Sequence, residues 1–169
     1  MDLKIEPVTK QNRAAVTALR VKHGQEHFVE TVEECLTEAD QLALWRPVAV
    51  YDGAQLIGFC MYGLWGNNGR VWLDRFLLDA GSQGKGYSIP VLRALIARIR
   101  EEYGCDELYL SVYKENTLAL SIYQRLGFAL NGELDINGEE IMVLPCKSLS
   151  VAKGGKTTEG AKRIYSVVA

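Results

Sequence analysis

Six residues, Gln83-Gly84-Lys85-Gly86-Tyr87-Ser88, join a long apolar stretch to a segment with helical periodicity, and no other part of the chain narrows the fold so far. Two glycines at such a junction let the backbone approach a ligand closely and adopt angles closed to other residues. The helix that follows offers unpaired N–H groups and the positive end of its dipole. Together these make a cradle for a pyrophosphate. The spacing is not a Walker phosphate loop, since no Gly-Lys-Ser/Thr follows, and it is not the G-x-G-x-x-G turn of a dinucleotide fold. An ordinary glycine-rich connection has the same composition, so the surroundings must decide. Pro90, just inside the helix, loses little there, because first-turn N–H groups have no intrahelical partner.

Those surroundings alternate strands and helices. Residues 3–6 read as a strand, with Leu3 and Ile5 on one face. Thr9 caps an expected helix over 10–22 that turns Val16 and Leu19 inward. Thr31 and Glu34 fit a capping box that opens a second helix through Ala39. Strands are expected over 48–51 and 55–62 around the Asp52-Gly53 turn, and over 71–78 after the turn at 66–69. A helix over 86–103 places Leu92, Leu95, Ile96 and Ile99 on one face. A strand over 107–113 follows, then a helix capped by Asn116 and stopped by Gly127, and a hairpin of 128–135 with 140–144 around Asn137-Gly138. Mixed order of this kind predicts an α/β domain with a mixed sheet.

In this setting the loop resembles the signature of the GNAT superfamily of N-acetyltransferases, Gln/Arg-x-x-Gly-x-Gly/Ala after a strand and opening a helix. Gln83, Gly84 and Gly86 match it, and Ser88 departs mildly where the family prefers Gly or Ala. A second block, from Asn116 through Tyr123 to Gly127-Phe128, matches in spacing and residue type. By element order the resemblance covers about residues 3 to 145. Within the superfamily the chain looks most like the bacterial spermine/spermidine acetyltransferases, on Phe59–Gly63, Arg70–Phe76 and Asn131–Asp135.

The resemblance implies the GNAT acyltransferase fold: a mixed, mostly antiparallel sheet of about seven strands flanked by about four helices. It implies acetyl-CoA as donor, with Gln83, Gly84, Lys85, Gly86, Tyr87 and Ser88 around the pyrophosphate. The main chain of Phe76, Leu77 and Leu78 is expected to pair with the pantetheine arm as an added strand. An N–H near Phe76 would polarise the thioester carbonyl. Tyr123 matches the family tyrosine that protonates the departing thiolate; a packed helix tyrosine is the alternative. Asn116 is expected to touch the cofactor arm or simply to cap its helix.

The acceptor amine, with a pKa near lysine's ~10.4, arrives protonated and needs a proton acceptor. Asp74 is the candidate. By strand alternation it shares a face with Phe76, and Arg75 points the other way. A structural ion pair is the competing reading of Asp74. Between Gly24 and Trp45 lie six acids and no Lys or Arg. Glu26, Glu30, Glu33 and Glu34 would line a negative channel for a polycation, or form a solvated helix face. A polyamine such as spermidine or spermine is therefore the expected acceptor, by direct transfer in a ternary complex. An amino-acid, antibiotic or protein N-terminal amine, or a non-catalytic acetyl-CoA sensor, remains the alternative.

Charge supports the amine. Residues 1–146 hold 14 bases and 20 acids, a net of -6, and residues 147–169 hold five bases and one acid, a net of +4. An acidic body argues against nucleic acid as a partner. The expected organisation is an acetyltransferase domain over 1–146 and a basic extension over 147–169, a linker with a short terminal strand. The start of the chain lacks a signal peptide's apolar core, and no apolar run of about 18 residues occurs, so a cytoplasmic enzyme without a membrane partner is expected. Cys35, Cys60, Cys105 and Cys146 read as reduced, buried thiols. His23-Gly24-Gln25-Glu26-His27 matches a metalloprotease pattern, but Gly24 weakens the helix it requires, and no metal is expected. A homodimer is expected from the resemblance alone.

Overall fold

The computed structural model describes residues 1–146; the linker and strand expected over 147–169 lie outside the described residues. Seven strands form one sheet in the order β1-β2-β3-β4-β5-β7-β6. They are β1 (Leu3–Pro7), β2 (Trp45–Asp52), β3 (Gln55–Trp65), β4 (Arg70–Leu78), β5 (Glu107–Val112), β6 (Ala129–Leu134) and β7 (Glu140–Pro145). Four helices complete the domain: α1 (Arg13–Thr17), α2 (Val32–Gln41), α3 (Ser88–Tyr103) and α4 (Thr117–Leu126). Every neighbouring pair of strands is antiparallel except β4 with β5. That pair is joined through α3, the crossover a parallel pair requires.

The sheet has a core on each face. Val91, Leu92, Leu95, Ile96 and Ile99 of α3 and Ala119, Ile122 and Tyr123 of α4 pack on Val71, Leu73, Phe76 and Leu78 of β4. On the other face Val16 of α1 and Val32, Cys35 and Leu36 of α2 pack with Trp72 and Leu77 of the same strand. Strand β4 is thus apolar in both directions and lies at the centre of the domain, as its run of bulky residues predicts.

Two irregularities in β4 shape everything that follows. Met61 pairs with Arg75 but Tyr62 pairs with Leu73, so Asp74 is the extra residue of a β-bulge. The bulge resets the alternation: Leu73 and Phe76 pack into the same core although three residues apart. The expectation that Asp74 shares a face with Phe76 and opposes Arg75 is therefore corrected. The second irregularity is a splay. β4 and β5 pair only through Val71 with Leu108 and Trp72 with Tyr109. Beyond these positions the strands part, leaving the β5-facing edge of residues 75–78 outside any ladder on that side.

The first helix is shorter than its apolar spacing predicts. Its N-cap is Asn12 rather than Thr9, and it stops at Thr17. Leu19 is still buried, but the Arg20 backbone is taken by the loop after β4. Its N–H donates to Asp79 Oδ1 at 3.2 Å and its carbonyl accepts from the Ala80 N–H at 2.7 Å. Tertiary contacts here outcompete helix continuation. The thiols divide as well: Cys35 and Cys60 are buried, whereas Cys105 and Cys146 are half-exposed with sulfurs 3.7 Å apart.

Candidate active site

The loop between β4 and α3 is pinned at its root and open at its tip. The Ser82 and Gln83 N–H groups donate to the Asp79 carbonyl at 2.7 and 3.1 Å, and the Gln83 side chain donates to the Leu78 carbonyl at 3.0 Å. Gly84 and Gly86 then take left-handed angles, φ +80° and +82°, which glycine adopts without strain. Among the described residues, the N–H groups of Gly84, Lys85 and Gly86 make no hydrogen bond. Tyr87, the N-cap of α3, gives the helix no side-chain cap, and no acid lies in its first turn. The Tyr87 hydroxyl is directed away, to Asp52 Oδ2 at 2.8 Å. What remains is a set of N–H donors at a positive dipole end, the electrostatics an anion requires.

Tyr123 comes from α4, whose N-terminus Asn116 caps by accepting the Ala119 N–H at 3.2 Å. Its ring meets Phe128 edge-on at 5.8 Å, and the residue is fully buried. Its hydroxyl is nonetheless a buried donor to which no described residue offers a hydrogen bond. Burial, then the neighbouring Cys60, pushes the phenol well above its ordinary range. A buried hydroxyl without a partner is costly, so Tyr123 would gain from a ligand group that reached it. The cradle and the phenol lie on the α3/α4 face of the sheet.

The acids lie on the opposite face. A cleft of about 270 Å³ is lined by Glu26, His27, Phe28, Glu30, Glu34 and Tyr113, among others. Three of the four glutamates expected in a channel meet here. Glu33 does not: it is exposed on α2, away from the cleft. Tyr113, just past the end of β5, puts the cleft at the mouth of the splay, and its ring lies 6.2 Å from Phe28. Glu34 closes the capping box by accepting from the Thr31 N–H and hydroxyl, which hold its carboxyl low. Burial raises Glu30, although Arg75 partly offsets this.

Asp74 and Arg75, at 0% and 1% exposure, are ion-paired to each other. Arg75 also donates through Nε to Glu30 at 3.3 Å and through Nη2 to Glu38 at 2.9 Å. The ion pair is the competing reading given for Asp74; what the sequence reading missed is its extension to Glu30 and Glu38 and the aromatic wall of Phe28 and Tyr113. One signal was available: an adjacent acid and base inside an otherwise apolar buried strand, a combination that survives burial when the charges reach each other or another partner. His23 and Glu26 approach to 3.4 Å on an exposed turn, and among the described residues no group of His, Cys, Asp and Glu is arranged to hold a metal.

A loop of unpaired N–H donors and a buried phenol on one face of a splayed sheet, with an acidic cleft on the other, set anion-favouring electrostatics opposite cation-favouring ones. The sequence profile of the acetyltransferase (GNAT) family matches residues 11–128. The spermine/spermidine N(1)-acetyltransferase of Bacillus subtilis strain 168 is 44% identical over 149 residues, covering 85% of this chain and 98% of the relative. A probable spermine N(1)-acetyltransferase of Bacillus subtilis subsp. natto matches equally. Among solved structures, the Vibrio cholerae spermidine N-acetyltransferase with CoA and spermine superposes with a TM-score of 0.66 at 18% identity, covering 85% of this chain and 95% of that one. The aminoglycoside acetyltransferase AAC(6')-Ib with coenzyme A reaches 0.72 at 17%, covering 86% and 95%. These two establish the fold. The chain belongs to the acetyltransferase (GNAT) family.

Proposed function

We propose that this chain acetylates a polyamine such as spermidine or spermine, by direct transfer in a ternary complex with acetyl-CoA. The observation that carries the acceptor is the cleft of Glu26, Glu30 and Glu34 at the mouth of the splay, opposite the cradle. A row of carboxylates rewards an acceptor with several ammonium groups over one with a single charge. The activity named for the Bacillus subtilis relatives supports the same reading.

The donor supplies an activated acetyl thioester. In the proposal, the backbone from Gln83 to Ser88, with Lys85 beside it, binds the pyrophosphate. The free edge of Phe76, Leu77 and Leu78 accepts the pantetheine arm as an added strand, and an N–H beside the bulge polarises the carbonyl. Tyr123, raised by burial, keeps its proton across the working pH range. A thiolate released in the same dry site is raised by the same burial, so the phenol is its nearest proton source. Asn116 holds the start of the helix that carries Tyr123. Asp74 is given a different part from the one expected of it: it holds Arg75, and the ammonium loses its proton through water to the cleft carboxylates, among which Glu30 is the stronger base. The working unit is residues 1–146 in a cytoplasmic homodimer, to be read by light scattering. One neighbour, the Vibrio cholerae enzyme, is described as dodecameric.

An amine panel tests the acceptor, with thiol release as the readout. Spermidine and spermine are expected to give the highest kcat/KM, and a monoamine of equal length the lowest. Preference for an aminoglycoside or an amino acid would overturn the polyamine reading, and no thiol release with any amine would favour a sensor.

A further inference from the structure

Arg75 is almost wholly buried, and each guanidinium nitrogen faces a carboxylate carried by a different segment. Nη1 meets Asp74 on the β4 bulge, Nε meets Glu30 in the segment leading to α2, and Nη2 meets Glu38 on α2. Such an ion cluster is seldom retained for stability, since well-packed apolar side chains of similar volume serve as well. The rigid planar fork has another use: it fixes the relative positions of the groups it bridges. Of the three carboxylates only Glu30 lines the acidic cleft. Asp74 belongs to the strand whose free edge faces the splay, and Glu38 is tied separately by the Trp45 indole N–H at 3.0 Å. Arg75 therefore connects the reaction strand to the wall of the acceptor cleft through a single carboxylate. Cys35 and Glu34 also lie within its field, both from α2.

We infer that Arg75 is a positioning residue for the acceptor: acting through Glu30, it sets where the cleft presents negative charge relative to the β4 bulge, and so which nitrogen of the acceptor reaches the acetyl group. This rests on the reading of the cleft as the acceptor site. A one-sided change at Arg75 moves the charge that receives the non-reacting end of the polyamine. The reacting end then loses its register, while the donor, held in the proposal by main-chain groups of the β4 edge and of the 83–88 loop, keeps its contacts.

Spermidine is the informative substrate, because its two terminal amines sit at unequal distances from the central nitrogen. Arg75→Lys keeps the charge and loses the fork. Its acceptor KM is expected to rise about tenfold while the acetyl-CoA KM stays within about twofold, a split that separates acceptor placement from general damage. The ratio of the two monoacetylated products, read by mass spectrometry, is expected to move toward equality. Glu38→Gln, which alters the anchor outside the cleft, is expected to shift the product ratio in the same direction by a smaller amount, and it carries the test if Arg75→Lys does not fold. Combining Arg75→Lys with Glu30→Gln is expected to add little to the acceptor KM of Glu30→Gln alone, because the two act in series. An unchanged product ratio with a lowered Tm, equal shifts in both KM values, or additive effects in the double variant would overturn the inference. If the wild-type enzyme ignores spermidine, the polyamine reading fails separately, and the same variants are judged on the acceptor and donor KM values for the preferred amine of the panel.

Discussion

The hydroxyl of Tyr123 is a local liability that the fold keeps. Its aromatic body packs on Phe128, but its oxygen is buried with no hydrogen-bond partner among the described residues. A group left in that state costs on the order of 1–3 kcal/mol. Tyr123→Phe should therefore leave Tm unchanged or slightly higher, while kcat falls about a hundredfold or more, the usual scale for a lost proton donor. Paired thermal melts and turnover measurements check this; a coincident loss of both would assign the residue to structure. Glu30 gives a second handle. Burial raises its carboxyl, so between its ordinary and raised values the folded chain binds more protons than the unfolded one, and stability falls as pH rises through that window. Acceptor binding runs the other way, because it needs the ionised form. The acceptor KM should climb as pH falls through the raised value, and Glu30→Gln should flatten that climb. Tyr123 was singled out by the resemblance of the block from Asn116 to Phe128, and the fold buries it on α4. The geometry of Asp74 was not legible, because one inserted residue opposite Met61 and Tyr62 defeats the period of two on which facing arguments rest.

At the level of elements, loops and caps position the chemistry. Gly84 and Gly86 hold left-handed angles, yet an added methyl group would meet nothing within 4 Å at Gly86 and only the Lys22 ammonium at 3.9 Å at Gly84. Substitution there acts on the backbone, at roughly 1–2 kcal/mol per residue, and not through a clash. Gly86→Ala should raise the acetyl-CoA KM about tenfold and leave the acceptor KM alone, since one 1.4 kcal/mol step is tenfold in binding. Equal movement of both constants would show the loop to be no more than a connection. The α2 cap makes the mirror-image case. Thr31→Ala removes the partner that holds Glu34 in place, costs about 1 kcal/mol of stability, and should weaken the acceptor without touching the donor. This cap was readable from Thr31 and Glu34 alone, because a capping box is local. The length of α1 was not, since the Arg20 peptide that would have extended it is bound by Asp79 and Ala80, far away in sequence. The splay of β4 from β5 was equally hidden: strand pairing is a property of two segments, and neither shows where the other departs.

Over the whole molecule, the proposal brings two substrates of opposite charge to opposite faces of the sheet. The sum of -6 over residues 1–146 was legible at once, but its meaning depended on where the acids gather, and only the fold brings Glu26, Glu30 and Glu34 to one cleft while leaving the cradle with backbone donors. An acidic body draws a polycation toward the cleft and repels a phosphate-bearing donor. Salt weakens both fields, since the screening length shortens from about 10 Å at 0.1 M to about 3 Å at 1 M. Raising ionic strength should thus raise the acceptor KM by several-fold and lower or leave unchanged the acetyl-CoA KM, whose binding relies on short-range N–H contacts that screening barely reaches. The monoamine of the panel should show a smaller slope than spermidine, because it has fewer charges to screen. Initial rates measured over a salt series at fixed pH separate these trends. If both KM values rise together, with equal slopes for mono- and polyamine, the acidic face is a solubility surface, and acceptor choice must come from the shape of the Phe28 and Tyr113 wall instead.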